Sequence, residues 1–179
     1  MSAVALTPAD LIVLSLLLER PMHGYDLAQE YDRQEVKDWA SVSKAQVYYA
    51  LKKLEKNGLI VAKAAPAEGD SRGKTAYRVT PQGRVLMQAH LTKPHWIEER
   101  RPQPFTTWVG LSIHCAEKNR LAMFKQRREF LASELLRELA SYKQVTAMTS
   151  ERAKAGLKII RLTISLIETE IAWLDALNS

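Results

Sequence analysis

Residues Ser43 to Arg84 constrain the fold most, because they read as one amphipathic helix followed by a two-stranded hairpin. Val47, Ala50, Leu51 and Leu54 recur at helical spacing and would bury one face. Ser43 and Gln46 form the Ser-x-x-Gln arrangement that caps a helix start, and Asn57-Gly58 supplies its end. Beyond it, Leu59–Lys63 and Thr75–Val79 are strand-like and flank a tip, Ala64–Lys74, that contains Pro, Gly, Asp and Ser. The segment carries nine Lys and Arg against three Asp and Glu, a net +6 that equals the formal charge of the whole 179-residue chain. The rest of the chain is therefore neutral on balance. Charge concentrated in this way favours an anionic partner.

The flanking sequence completes a small domain. Thr7-Pro8-Ala9-Asp10 is a helix start with Thr as N-cap and Pro at the first helical position, and Pro21 prevents continuation much past Glu19. A second helix is expected from Gly24 to about Arg33, the Ser43 helix is the third, and Thr80-Pro81 opens a fourth that runs to about Leu91. The order helix, helix, helix, strand, strand, helix is that of a winged helix-turn-helix. We expect this domain to span residues 1–92. Lys93 to Pro104 carries three prolines and the run Glu98-Glu99-Arg100-Arg101, and reads as a linker.

From 105 to 179 the chain reads as a helical dimerisation domain: a short helix from Phe105 to Cys115, then two long helices near 117–147 and 150–177. In the last helix Ala153, Leu157, Ile160, Ile164, Ile167, Ile171 and Leu174 follow alternating spacings of four and three, a heptad seam suited to a coiled coil. Ile159, Leu162, Leu166, Trp173 and Leu177 form a second stripe beside it. A helix apolar on two sides must bury both. One side can pack on the preceding helix, through Leu121, Phe124, Leu131, Leu135, Leu139 and Tyr142; a second copy of the chain is the simplest partner for the other. We assign dimerisation to Leu157, Ile160, Ile164, Ile167, Ile171 and Leu174. The competing arrangement folds both stripes into one intrachain bundle.

Several classes of function find no support. His23, His90, His95 and His114 do not form a ligand set, and Cys115 is the only cysteine and reads as a small apolar core residue. There is no phosphate-cradling Gly-rich loop, no Gly-x-Ser-x-Gly elbow and no dinucleotide fingerprint. An enzyme is not expected, nor a cofactor or metal. No run approaches the roughly 20 apolar residues of a membrane helix. The apolar stretch Leu11–Leu18 lacks the flanks of a signal peptide, so a cytoplasmic chain without a membrane partner is expected.

From Leu11 to Gly83 the chain resembles the PadR-like transcriptional regulators. The resemblance rests on Leu14-Ser15-Leu16-Leu17, on Pro21-Met22-His23-Gly24-Tyr25-Asp26-Leu27, on Ser43 through Ile60, and on Tyr77-Arg78-Val79-Thr80-Pro81-Gln82-Gly83. The His-Gly-Tyr element combined with Tyr-x-x-Leu-x-x-Leu-Glu-x-x-Gly-Leu-Ile is specific to it. The helical second half resembles the larger branch of that family, with its extended C-terminal dimerisation region.

The resemblance implies a bacterial, homodimeric repressor that binds double-stranded DNA and, in some members, answers to small aromatic or lipophilic compounds. Its third helix would enter the major groove and its wing would lie along the backbone. On that reading Ser43 belongs to the DNA-binding set and Lys44, Gln46 and Tyr49 work in the groove, one of Tyr48 and Tyr49 facing the core and the other free. Lys52, Lys63, Arg72 and Lys74 would meet phosphates, with Glu68 and Asp70 keeping the wing tip itself away. Trp39, Trp96, Phe105 and Trp108 are candidates for lining an aromatic-ligand pocket, though tryptophans there also suit plain packing. The rival function is a protein-interaction scaffold dimerised by its C-terminal helices.

Overall fold

The computed structural model describes residues 5–64, 75–98 and 103–177, and the side chains of Lys63 and Ala64 lie outside that description. The chain divides into two compact units, Met1–Glu99 and Arg100–Ser179.

The first unit is built on α1 (Pro8–Glu19), β1 (Met22–His23), α2 (Gly24–Arg33), α3 (Val36–Trp39), α4 (Lys44–Lys56), β2 (Ile60–Ala64), β3 (Thr75–Val79), α5 (Pro81–Leu91) and α6 (His95–Glu98). Capping fixes where the longer helices begin. The Thr7 hydroxyl accepts from the Asp10 amide at 3.3 Å, and the Asp10 carboxylate accepts from the Thr7 amide at 2.7 Å. Ser43 and Gln46 repeat the arrangement at the start of α4, and Thr80 caps α5 through the Gly83 amide. Asn57 follows α4, and Gly58 then takes φ 68°, a left-handed conformation that glycine enters without a Cβ penalty.

Alpha1 is buried around most of its circumference: Val13, Leu14, Leu16 and Leu17 join Val47, Ala50, Leu51 and Leu54 of α4 in one core. Leu27 and Tyr31 of α2 complete it, and the Tyr31 hydroxyl donates to the Val42 carbonyl at 2.6 Å. The sheet is antiparallel with strand order β1-β3-β2. Met22 pairs with Tyr77 and Ile60 with Val79. Tyr77 and Val79 pack on the core, so by strand alternation Arg78 points outward, beside its partner Val61. Two elements go beyond the sequence reading: β1, and the single-turn α3 that follows Glu35 at φ 47°. The span read as a linker also contains α6.

The second unit contains α7 (Pro104–Leu111), a 3-10 turn at Ser112–His114, α8 (Glu117–Thr146) and α9 (Glu151–Leu177). Alpha8 and α9 form an antiparallel hairpin. Two charged pairs join the start of α8 to the end of α9: Arg127 grips Glu170 at 2.7 and 3.0 Å, and Arg128 grips Asp175 at 2.5 and 3.2 Å. Phe105 stacks on Trp108 with ring centroids 5.7 Å apart, and both meet Phe124 edge-on. Trp173 closes this aromatic cluster and Arg127 lies over the Phe105 ring at 4.9 Å.

Ile167, Ile171 and Leu174 pack with Phe124 and Leu131, so the C-terminal half of the heptad seam takes part in the intrachain hairpin. Leu157, Ile160 and Ile164 are half-buried. The stripe left exposed on α9 is the other one, Ile159, Leu162, Leu166, Trp173 and Leu177. Cys115 is half-buried rather than a core residue.

Candidate nucleic-acid interface

The organising element is α4. Its buried face presents Val47, Ala50, Leu51 and Leu54 to the core, which leaves Lys44, Gln46, Tyr49 and Lys52 exposed on the remaining surface. Tyr48 and Tyr49 are 43% and 72% exposed, so neither is core-facing, contrary to the expectation for one of them. Adjacent residues lie about 100° apart on a helix, and the narrow apolar stripe at 47, 50, 51 and 54 leaves room for both rings outside it.

Gln46 has a second task. Its side-chain oxygen accepts from the Ser43 amide at 2.7 Å, so in this geometry only its amide NH2 is free to donate. Bidentate recognition of an adenine edge needs both groups and would release the cap.

The lysines of α4 divide into held and unheld. Lys44 Nζ lies 2.5 Å from the Asp32 carboxylate of α2, and that hydrogen bond raises the Lys44 pKa above its ordinary value. Lys53 Nζ lies 2.6 Å from Asp10, whose side chain is fully buried, and 3.0 Å from the Ala5 carbonyl. Among the described residues Lys52 and Lys56 have no carboxylate partner and are exposed. Adjacent lysines thus have opposite surroundings: Lys53 is tied into the fold and Lys52 faces solvent.

In the wing, Lys63 sits on β2 opposite Ala76, but its side chain lies outside the described residues, as do Arg72 and Lys74 entirely. Arg78 on β3 is a further exposed cation. The charge pattern contains it, but only the strand register shows which way it points.

The four aromatic residues assigned to a ligand divide between the two units. Phe105 and Trp108 stack in the second unit. Trp39 belongs to the first, where its indole N–H donates to the Gln34 carbonyl at 3.1 Å. Trp96, also in the first unit, donates to the His90 carbonyl at 2.8 Å and leans on His95 with ring centroids 4.7 Å apart. A cleft of about 250 Å³ beside α4, bordered by Thr7, Val42, Gln46 and Tyr49, is lined by none of the four. Among the described residues no group of three or more His, Cys, Asp or Glu is placed to hold a metal ion, and no helix is long and apolar enough to cross a membrane.

Capped helices around α4, an antiparallel wing and an exposed cationic face define a winged helix-turn-helix, followed here by a long helical hairpin. The first unit carries a PadR-like domain: the sequence model of the transcriptional regulator PadR-like family matches residues 13–89. No curated protein matches the sequence significantly.

Solved structures share the fold over nearly the whole chain. Bacillus subtilis PadR in complex with operator DNA is 19% identical, with a TM-score of 0.79 covering 94% of this chain and 96% of that one. The same regulator in complex with p-coumaric acid is 19% identical, with a TM-score of 0.79 over 94% and 95%. The Vibrio cholerae virulence activator AphA is 21% identical, with a TM-score of 0.65 over 94% of each. Domain and fold together support a DNA-binding transcriptional regulator.

Proposed function

We propose that the chain is a sequence-specific repressor of the bacterial cytoplasm, acting as a homodimer on a pseudo-palindromic operator. The observation that carries the reading is α4, whose apolar face is buried while Lys44, Gln46, Tyr49 and Lys52 stand exposed after a capped N-terminus. In that reading Lys44, Gln46 and Tyr49 work in the major groove beside Ser43 at the helix start, and Lys52, Lys63, Arg72 and Lys74 meet phosphates. The repressor sense is what the resemblance of the sequence to the PadR-like regulators implies.

The symmetric partner is another copy of the chain, joined through the second unit. The exposed stripe Ile159, Leu162, Leu166, Trp173 and Leu177, with half-buried Leu157, Ile160 and Ile164, supports that assignment. Long helices rarely leave such a stripe to water. Two copies of α4 would then address half-sites about one helical turn, roughly 34 Å, apart.

Lys52 provides the test. A phosphate contact contributes about 0.9 to the slope of log K against log salt. Lys52→Ala is therefore expected to weaken binding to specific and random duplex alike and to flatten the slope by about one unit. An unchanged slope removes Lys52 from the footprint. A wild-type chain with no salt-dependent retention on duplex DNA would favour the protein-interaction scaffold instead.

The effector proposed is a small aromatic acid, received by the aromatic groups around Phe105 and Trp108. The likeness to a PadR bound to p-coumaric acid supports the ligand class. Tryptophan emission titrated with p-coumaric acid is expected to change saturably and in step with release of DNA. No saturable change would count against phenolic acids as the effector.

A further inference from the structure

Alpha4 starts with a cation. Lys44 is its first residue, where the unpaired amides of the first turn make the helix end positive and a lysine unfavourable. The fold answers with Asp32, in the last turn of α2, whose carboxylate lies 2.5 Å from Lys44 Nζ. Both side chains are open to water, 49% exposed for Lys44 and 55% for Asp32, so the pair is not a buried structural bridge. An exposed pair of this kind contributes little to stability. It also lies at the end of α4 that would lead into the groove.

Resting on the DNA-binding reading above, we propose that Asp32 is a specificity-determining residue: an intramolecular stand-in for phosphate that occupies Lys44 until an operator replaces it. Paired with Asp32, Lys44 offers a passing DNA backbone a dipole rather than a net charge. Binding to non-operator DNA comes almost entirely from neutralised phosphates, so withholding one cation weakens it in proportion. At an operator the groove contacts fix α4, and Lys44 can exchange the carboxylate for a phosphate oxygen or a base-edge acceptor. The exchange is one acceptor for another on the same ammonium group. Specific binding therefore loses less than random binding does. Asp32 differs in this from Asp10, which holds Lys53 from inside the core and is not exposed to exchange.

The test compares the wild-type chain with Asp32→Asn, Lys44→Gln and the double variant on random-sequence duplex over a salt series. Asp32→Asn is expected to bind random DNA several-fold more tightly and to steepen the salt slope by about one unit, the contribution of one added phosphate contact. In the Lys44→Gln background the same Asp32→Asn change should have little effect, because the residue it would free is gone. The proposal is overturned if Asp32→Asn leaves affinity and slope unchanged. It is equally overturned if the gain persists undiminished without Lys44, since that would be a general loss of negative charge. A wild-type chain without salt-dependent binding would instead overturn the DNA-binding reading, and the role of Asp32 with it.

Discussion

Replacing Lys53 with methionine is expected to destabilise the first unit by about 3 kcal/mol, a larger loss than any exposed lysine should give. Removing one partner of a buried ion pair strands the other charge, typically at 3–5 kcal/mol. The low end applies because the Lys53 side chain keeps 25% of its exposure, whereas that of Asp10 keeps 1%. One Asp10 oxygen accepts from the Thr7 amide at 2.7 Å, the Thr7 hydroxyl at 2.9 Å and Lys53 Nζ at 2.6 Å. The other is buried without a hydrogen-bond partner among the described residues. Without the ammonium group, the carboxylate would be left among apolar side chains of α1 and α4. On the scale of a domain this size the melting temperature should fall by on the order of 15 °C. Asp10→Asn combined with Lys53→Met should recover part of the loss, since an amide is less costly to bury than a charge. If Lys53→Met melts with the wild type, the ion pair does not hold α4 to α1. Lys52→Ala, one residue away, should leave stability nearly unchanged and affect DNA binding alone.

The second large effect is expected at Gly83. A Cβ placed there would lie 2.2 Å from the Leu59 carbonyl oxygen and 3.1 Å from both the Leu59 carbonyl carbon and Val79 Cγ1. The obstacle is backbone, and that oxygen also accepts from the Thr80 amide at 3.0 Å and the Thr80 hydroxyl at 3.1 Å. Relief would require α5 to shift away from the strand entrance and lose those bonds. Gly83→Ala should therefore cost about 3 kcal/mol, at the upper end of overpacking penalties. Gly110, in α7, is the control: an added Cβ there meets nothing within 4 Å among the described residues. Gly110→Ala is expected to be neutral or to stabilise the helix by up to about 1 kcal/mol. Denaturant midpoints of the two variants would separate them, and equal midpoints would refute the close approach at Gly83.

The helices were legible because their ends are written locally. Thr7, Ser43 and Thr80 precede their helices as caps, and Pro21 and Gly58 mark stops, so the bounds of α1, α4 and α5 follow from neighbouring residues. Beta1 was not, since two residues cannot display an alternation and its partner Tyr77 lies far along the chain. The uses of Lys44 and Lys53 were hidden for a similar reason. Each is set by a carboxylate brought in from another helix, and the sequence shows only that both are lysines on one surface.

Alpha9 was ambiguous in another way. Its two apolar stripes are comparably hydrophobic, so periodicity could establish that both need burial but not which one α8 covers. Contacts of Phe124 and Leu131 with Ile167, Ile171 and Leu174 settle that within the chain. The wing cations Lys63, Arg72 and Lys74 remain proposals read from their charge.

In the function proposed above, α4 reads DNA as one half of a symmetric pair. Selection of bound duplexes from a random pool by the purified full-length chain tests it most directly. Enrichment of an inverted repeat with half-site centres about one helical turn apart, roughly 10 base pairs, is expected. Enrichment of a single unrepeated half-site would contradict the symmetric pair, and no enrichment at all would contradict sequence-specific reading.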